Sequence, residues 1–211
     1  MRSDLLLLAI SWALWCAGHS LLITARATAF FRRRLGGRYA FFRLAYNIFA
    51  LLTLLPVVAW SLRLPGAELL VWRWPWTLLQ ALLWLTAAGL FVGGARVYPL
   101  TEFLGIAQIR GRRRGGQGTR PPLVTDGVLG MVRHPWYLAA LLVLWGRDLD
   151  APALVTSAVL SLYLVVGAHL EEARLLKEFG DDYRRYRREV SMLVPWKWLL
   201  RRMQGGTGTR V

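Results

Sequence analysis

Ionisable side chains within or beside apolar segments are the first candidates for chemistry in this sequence. Placing such groups at membrane depth is costly, so proteins keep them there mainly for function. Six residues meet this description: His19, Arg133, His134, His169, Glu171 and Glu172. Taken singly, each could also have an ordinary structural role, such as a hydrogen bond to a neighbouring helix.

Two short blocks hold four of these groups. The first block, residues 133–137, opens an apolar segment, and Pro135 suits a first helical turn because its missing N–H would have no partner there. The second block, Glu171 and Glu172, closes the next apolar segment. If the two segments pair as antiparallel helices, the start of one lies beside the end of the other. The spacing therefore predicts a pocket of His, Tyr, Trp and carboxylate side chains at the cytoplasmic face.

The elements that would position these blocks are membrane helices. Crossing a hydrocarbon core takes about 20 helical residues, and four apolar segments are long enough: 5–23, 41–62, 76–98 and 151–169. A fifth segment, 128–145, is interrupted by Arg133, His134 and Pro135, so we expect it to begin in a polar, protein-lined pocket. The prediction is an all-α polytopic membrane protein with five transmembrane helices. Helices four and five form a tight hairpin, and cytoplasmic helices follow.

The distribution of charge supports this topology. The formal net charge is +15, and 23 of the 27 Lys and Arg residues fall on one side of the predicted helices. Because cytoplasmic connections collect Lys and Arg, the N-terminus is predicted outside and the C-terminus in the cytoplasm of a bacterial inner membrane. The charge lies where topology requires it, so we expect membrane lipids as partners and no nucleic acid.

Composition divides the chain into four parts. These are a three-helix membrane region at 1–104, a Gly- and Arg-rich cytoplasmic link at 105–120, a unit of helical hairpin and cytoplasmic helices at 121–200, and a disordered tail at 201–211. Trp12, Trp15 and His19 interrupt the first apolar segment, so we expect it to be retained as an anchor. Gly180 is predicted to end or bend the helix that follows the fifth span.

The third part resembles a known enzyme family. Gly127 followed by the run Arg133, His134, Pro135, Trp136 and Tyr137 is similar to that family's Gly and Arg-His-Pro-x-Tyr pattern. The second half of the pattern follows at the family's distance and consists of Glu171, Glu172, Leu175, Phe179, Gly180, Tyr183, Tyr186, Val190 and Pro195. The family comprises isoprenylcysteine carboxyl methyltransferases, phospholipid N-methyltransferases and membrane thiol S-methyltransferases.

The resemblance implies a cofactor, S-adenosylmethionine, and a set of residues that bind it. These are Leu123, Val124, His134, Pro135, Trp136, Tyr137 and Glu171, with Arg133, Glu172, Tyr183 and Tyr186 as further pocket residues. It implies that a nucleophile, held at attack distance, attacks the methyl carbon of the sulfonium directly and displaces the sulfur. No metal is implied, and no catalytic residue is assigned.

Two departures from the family pattern bear on the methyl acceptor. The prenylcysteine enzymes resemble one another in an Arg one turn before the first Glu, where this chain has Gly167. The family's aromatic residue two positions after the Gly is Leu129 here. A small or lipid-like nucleophile, such as a thiol, is therefore expected rather than a prenylated protein.

Two other classes stay open on sequence grounds. The N-terminal half, with His19 in its first helix, also resembles NnrU-type membrane proteins, some of which bind haem. In that alternative His19, His134 or His169 would be an axial ligand. The third alternative is a non-enzymatic membrane scaffold that retains the motif for structural reasons.

Overall fold

The protein is described here from a computed structural model, which covers residues 2–111 and 122–205. Ten α-helices occur in this described part, and their bounds are α1 Arg2–Leu22, α2 Ala25–Leu35, α3 Phe42–Arg63, α4 Thr77–Val97, α5 Leu100–Leu104, α6 Ile106–Ile109, α7 Pro135–Trp145, α8 Ala151–Phe179, α9 Asp181–Glu189 and α10 Trp196–Gly205. Two 3-10 helices, Gly36–Phe41 and Gly127–Gly130, precede α3 and α7. Two short strands, β1 Glu68–Leu70 and β2 Leu149–Asp150, pair antiparallel.

Four helical stretches are long and apolar enough to cross a membrane, which agrees with the predicted membrane character. They are α1, the continuous stretch Ala25–Arg63, α4 and α8. The predicted count of five is not confirmed, because α7 has only 11 residues. An α-helix rises about 1.5 Å per residue, so α7 is roughly half the thickness of the hydrocarbon core.

The described residues form two compact units that interleave along the chain. The first contains those of Met1–Val71, Tyr98–Arg120 and Asp148–Tyr163, and the second those of Trp72–Val97, Pro121–Arg147 and Leu164–Val211. The boundaries predicted after residues 104 and 120 rest on composition and stay predictions. Residues 112–120 of the predicted link and 206–211 of the predicted tail lie outside the described residues, and residues 201–205 continue α10.

Polar side chains connect the membrane helices of the first unit. The Trp12 indole N–H donates to Thr156 Oγ1 at 3.0 Å, and Ser61 Oγ lies 3.0 Å from the same oxygen. Inside a membrane such bonds satisfy groups that lipid could not. The pairing of β1 with β2 was not predicted, since strands of two or three residues leave almost no periodic pattern.

In the second unit, α7 packs along α4. The predicted tight hairpin of α7 with α8 is therefore not confirmed. Glycines on α4 allow the close approach: a Cβ on Gly93 would lie 2.3 Å from Val128 Cγ1, and one on Gly94 would lie 2.3 Å from Trp136 Nε1. Ala87, Leu90, Val132 and Ala139 form the buried cluster of this interface.

The helix that carries the two glutamates is longer than predicted. The sequence places Glu171 and Glu172 at the end of a membrane span, but α8 continues without a break to Phe179. Gly180 then adopts φ 58° and α9 begins at Asp181, which confirms the predicted end at this glycine. A positive φ of this kind is readily available only to glycine.

The close approach of α4 and α7 can be tested at Gly94. We expect Gly94→Leu to lower the free energy of unfolding in detergent by about 1–3 kcal/mol, because the new side chain overlaps the Trp136 indole. Denaturant titration followed by circular dichroism measures this change. Gly89→Leu on the same helix is the matched control, since a Cβ there meets nothing within 4 Å. Equal losses from both variants would contradict the packing described.

Candidate active site

The N-terminus of α7 is fixed by the segment that follows α9. Val132 and Ser191 form an isolated parallel bridge, and the backbone N–H of Arg133 donates to the Ser191 carbonyl at 2.9 Å. The His134 N–H donates to the Met192 carbonyl at 3.1 Å. Pro135 occupies the first turn of α7, as predicted, and the structure buries it. The position of His134 in the site thus depends on hydrogen bonds to a segment almost sixty residues later in the chain.

Glu172 lies at the centre of the site, with only 3% of the residue exposed. Arg133 contacts its Oε1 through both Nε and Nη2 at 2.6 Å, and Arg187 Nε lies 3.1 Å from its Oε2. Both carboxylate oxygens therefore face a guanidinium. Because a buried charge is tolerated only when paired, these two arginines account for the burial of Glu172.

Arg133 also connects the site to the end of α9. Its Nη1 donates to the Val190 carbonyl and, at 3.2 Å, to the Arg187 carbonyl. Lys197 Nζ donates to the carbonyls of Arg187 and Arg188 at 3.0 and 2.8 Å. The last carbonyls of a helix have no partner within the helix. Two cations therefore satisfy the C-terminus of α9 and complement its dipole.

Glu171 has a different environment from its neighbour. Its side chain is 38% exposed, and its Oε2 lies 3.6 Å from His134 Nδ1. The Tyr137 side chain also hydrogen-bonds to this carboxylate. The Tyr137 and His134 rings stack with centroids 5.2 Å apart, which holds the two side chains in one orientation. The structure thus brings together the three residues that the sequence placed at the centre of the pocket.

His134 lies between the two glutamates. Its Nε2 is 3.4 Å from Glu172 Oε1, while Nδ1 faces Glu171. Burial of the imidazole acts to lower its pKa, but the two carboxylates outweigh burial and raise the pKa above its usual value. The protonated ring is favoured because each nitrogen faces an anion.

Two buried polar atoms of the site lack an aligned hydrogen-bond partner among the described residues. They are His134 Nε2, whose contact with Glu172 is electrostatic rather than a directed hydrogen bond, and the Tyr183 hydroxyl. Tyr183 is 1% exposed, and burial together with the charge of Glu172 raises its pKa. Buried orphan groups are rare in proteins, and those in a cleft are a sign of a ligand or water.

The other predicted site residues have varied positions. The Trp136 indole stacks on Phe91 and donates to the Phe91 carbonyl at 3.1 Å, so its described contacts are to α4. Tyr186 donates to the Leu129 carbonyl at 2.7 Å. Leu123 packs against the cluster of Leu129, Tyr183, Tyr186 and Val190, whereas Val124 is 44% exposed.

The remaining histidines have partners elsewhere. His19 belongs to the first unit and contacts Tyr46. His169 is exposed on α8, with its Nδ1 2.8 Å from the Val165 carbonyl one turn earlier. Sequence reasoning also overlooked Arg187. It lies one turn after Tyr183 on α9, so the helical spacing that selected Tyr183 could have selected it too.

The clamp on Glu172 can be tested by removing one guanidinium. We expect Arg133→Met to lower the free energy of unfolding by about 3–5 kcal/mol, because it leaves a buried carboxylate without its main partner. Arg184→Met is the matched control. Its partner Asp181 is 85% exposed in the side chain, so a change within about 0.5 kcal/mol is expected. The double variant Arg133→Met/Glu172→Met should recover part of the loss, and no recovery would contradict a charge-pair origin.

His134 should give the fold a pH dependence. Because its pKa is raised in the folded state, protonation of His134 stabilises the fold fully below the unfolded value of 6.5. This stabilisation is lost as the pH rises through the raised folded pKa. Melting temperatures in detergent across this pH window should therefore fall more for the wild type than for His134→Asn. His169→Gln is the control, and an identical pH profile for wild type and His134→Asn would contradict the assignment.

No family model matches the chain, and no solved structure matches it. Methanethiol S-methyltransferase 1 of Bradyrhizobium diazoefficiens is 32% identical over 148 residues, which are 62% of this chain and 51% of that protein. Methanethiol S-methyltransferase of Mycobacterium tuberculosis is 32% identical over 143 residues, or 67% of this chain and 55% of the relative.

A third relative has a different named substrate. Protein-S-isoprenylcysteine O-methyltransferase of Schizosaccharomyces pombe is 35% identical over 77 residues, 35% of this chain and 33% of that protein. The chain spans about half the length of the methanethiol S-methyltransferases it matches. These relatives confirm the resemblance seen in the sequence and support membership of the isoprenylcysteine carboxyl methyltransferase-like family of membrane methyltransferases.

Proposed function

We propose that this chain is an integral membrane methyltransferase that uses S-adenosylmethionine to methylate a small thiol. The observation that carries the proposal is that two adjacent glutamates have different environments. Glu172 is neutralised by Arg133 and Arg187, whereas Glu171 is partly exposed beside His134 and Tyr137. Glu171 is therefore available to a ligand, and Glu172 positions the residues around it.

The chemistry of the site fits the proposed cofactor. S-adenosylmethionine has a cationic sulfonium, a zwitterionic amino acid portion and a ribose, and it supplies an electrophilic methyl group when bound. Glu171 would accept hydrogen bonds from the ribose hydroxyls or the ammonium group, and His134 and Tyr137, which both face its carboxylate, would hold Glu171 in orientation. The Tyr183 hydroxyl, which has no aligned partner among the described residues, would supply a donor. Orienting the reacting groups and excluding water would be the main contributions of the protein.

Our proposal for the methyl acceptor rests on the space beside the Tyr137 side chain. Gly167 lies one turn before Glu171, and a Cβ there would meet the Tyr137 hydroxyl at 3.8 Å. A longer side chain at this position would project toward Tyr137 and Glu171, so the glycine leaves that side open and provides no cation for a substrate carboxylate. A small neutral thiol needs no such cation. The methanethiol S-methyltransferases among the relatives support this choice over a prenylated protein.

The topology is part of the same proposal. We place the N-terminus outside and the C-terminus in the cytoplasm of a bacterial inner membrane, because 23 of the 27 Lys and Arg residues fall on that side. The cofactor would then enter from the cytoplasm, while a lipophilic or small acceptor could arrive through the bilayer.

Cofactor binding can be tested with S-adenosylhomocysteine. We expect calorimetric titration of the detergent-purified protein to show binding that Glu171→Gln weakens roughly ten- to a hundredfold, which is the range expected for a lost charge-assisted hydrogen bond. Glu178→Gln lies further along the same helix and should bind as the wild type does. A labelled-methyl assay with methanethiol should show the same ranking.

Three outcomes would contradict the proposal. They are no binding of S-adenosylhomocysteine by the wild type, equal binding by Glu171→Gln, and a Soret band in the purified protein that His134→Ala or His19→Ala abolishes. The last result would favour the haem-binding alternative. Binding without methyl transfer to methanethiol, but with transfer to another thiol, would retain the cofactor and correct the acceptor.

A further inference from the structure

A groove in the first unit shares no lining residue with the proposed active site. It has a volume of about 190 Å³ and lies against α1 and α3, where its walls include Trp15, Gly18, His19, Tyr46, Phe49 and Thr53. Leu14 and Phe49 at its edge are 68% and 53% exposed. Both helices belong to stretches long and apolar enough to cross a membrane. A lipid-soluble molecule could therefore reach this groove sideways from the bilayer.

His19 has more hydrogen-bond acceptors in this groove than its neighbour Tyr46 can satisfy. The Tyr46 hydroxyl lies 2.8 Å from His19 Nδ1 and 2.9 Å from Nε2, and it donates to the His19 carbonyl at 3.1 Å. A hydroxyl has one proton, so while it donates to the carbonyl it can only accept from the ring. A neutral imidazole has one N–H donor and one acceptor nitrogen. Tyr46 thus has one proton for two acceptors of His19, the ring nitrogen and the backbone carbonyl, so one of these two acceptors is left without a donor.

The other polar groups of the groove are already committed. The Trp15 indole N–H donates to Thr53 Oγ1 at 3.2 Å, and the Thr53 hydroxyl lies 2.8 Å from the Phe49 carbonyl. The Trp15 ring also stacks on His19 with centroids 4.9 Å apart. What this groove lacks is a hydrogen-bond donor, which a ligand would have to supply.

The walls restrict the ligand further. None of the described lining residues is Lys, Arg, Asp or Glu, so the groove offers no counter-charge to a phospholipid headgroup or to any other ion. Trp15, His19, Tyr46 and Phe49 supply four aromatic rings, which favour a planar ring as a partner. A charged headgroup is disfavoured, and a neutral aromatic ring is favoured.

We infer that this groove binds a neutral, membrane-soluble phenol, a class that includes the reduced form of a lipid quinone, with the phenolic O–H donating to His19. The ring would lie among the aromatic side chains, and an apolar tail would leave past Leu14 and Phe49. The site is independent of the proposed methyltransferase function, because none of its residues belongs to the His134 and Glu171 site.

A matched pair of ligands tests the inference. The probe is radiolabelled para-octylphenol, measured on the full chain in lipid nanodiscs against empty nanodiscs, with para-octylanisole as competitor. The anisole differs mainly in replacing the O–H by a methyl ether, so it cannot donate. We expect the phenol to bind about five- to tenfold more tightly than the anisole, which corresponds to one net hydrogen bond. Equal affinity of the two compounds would overturn the inference.

Variants then locate the binding. A Cβ on Gly18 meets nothing within 4 Å, so Gly18→Leu should fill the groove and abolish binding without a clash inside the protein. Gly89→Leu on α4 is the matched control, because a Cβ there also meets open space. His19→Phe keeps an aromatic ring beside Trp15 but removes the acceptor, so it should abolish the preference for phenol.

The outcomes are distinguishable from a folding defect. Circular dichroism melting and gel filtration should show that Gly18→Leu, His19→Phe and Gly89→Leu all fold as the wild type does. Should Gly18→Leu misfold, His19→Phe alone tests the hydrogen bond. Phenol binding that survives both Gly18→Leu and His19→Phe would place it elsewhere and overturn the inference. A phospholipid that co-purifies with the wild type and is lost from Gly18→Leu would overturn the choice of occupant.

Discussion

The buried carboxylate of Glu172 is the constraint on which the rest of the second unit depends. An anion with this little exposure needs compensating charge, and it receives it from two segments, the start of α7 through Arg133 and the end of α9 through Arg187. One carboxylate therefore connects three segments of the chain, the start of α7, α8 and the end of α9. Because Arg133 also donates to the last carbonyls of α9, the same guanidinium neutralises the carboxylate and ends the helix. Any movement of α9 would uncover a charge that the interior cannot tolerate.

Adjacent positions on a helix point about 100° apart, and this explains how two neighbouring glutamates acquire different environments. Glu172 faces the two arginines, whereas Glu171 faces Tyr137 and the open side of the site. His134 bridges them, with one ring nitrogen toward each carboxylate. The orientation of the imidazole is thus set by Glu172, which a ligand does not need to touch, while Glu171 keeps its capacity for hydrogen bonds.

The sequence predicted the local features of this site and the meeting of His134 and Tyr137 with Glu171, but it missed other long-range contacts. Pro135 in the first turn and Gly180 at the helix end are local consequences of a missing N–H and of a positive φ, so they were found. The packing of α7 along α4 was not predicted, because apolar faces do not specify which helix they will pack against. Gly93 and Gly94 indicate α4 only once their distances to Val128 and Trp136 are known. Arg187 was overlooked among many arginines for the same reason. Helical spacing puts Arg187 on the same face of α9 as Tyr183, but its pairing with Glu172 depends on where the structure places α9.

Two histidines show how surroundings rather than residue type determine what a site can bind. His134 lies between two carboxylates, so it favours the protonated ring, and the partly exposed carboxylate of Glu171 beside it is suited to a ligand that carries a cation. His19 lies among the neutral rings of Tyr46, Trp15 and Tyr163 at membrane depth, where an uncompensated charge is costly. A neutral imidazole there keeps one nitrogen lone pair as an acceptor. The same side chain is therefore held protonated between carboxylates in one unit and neutral among aromatic side chains in the other.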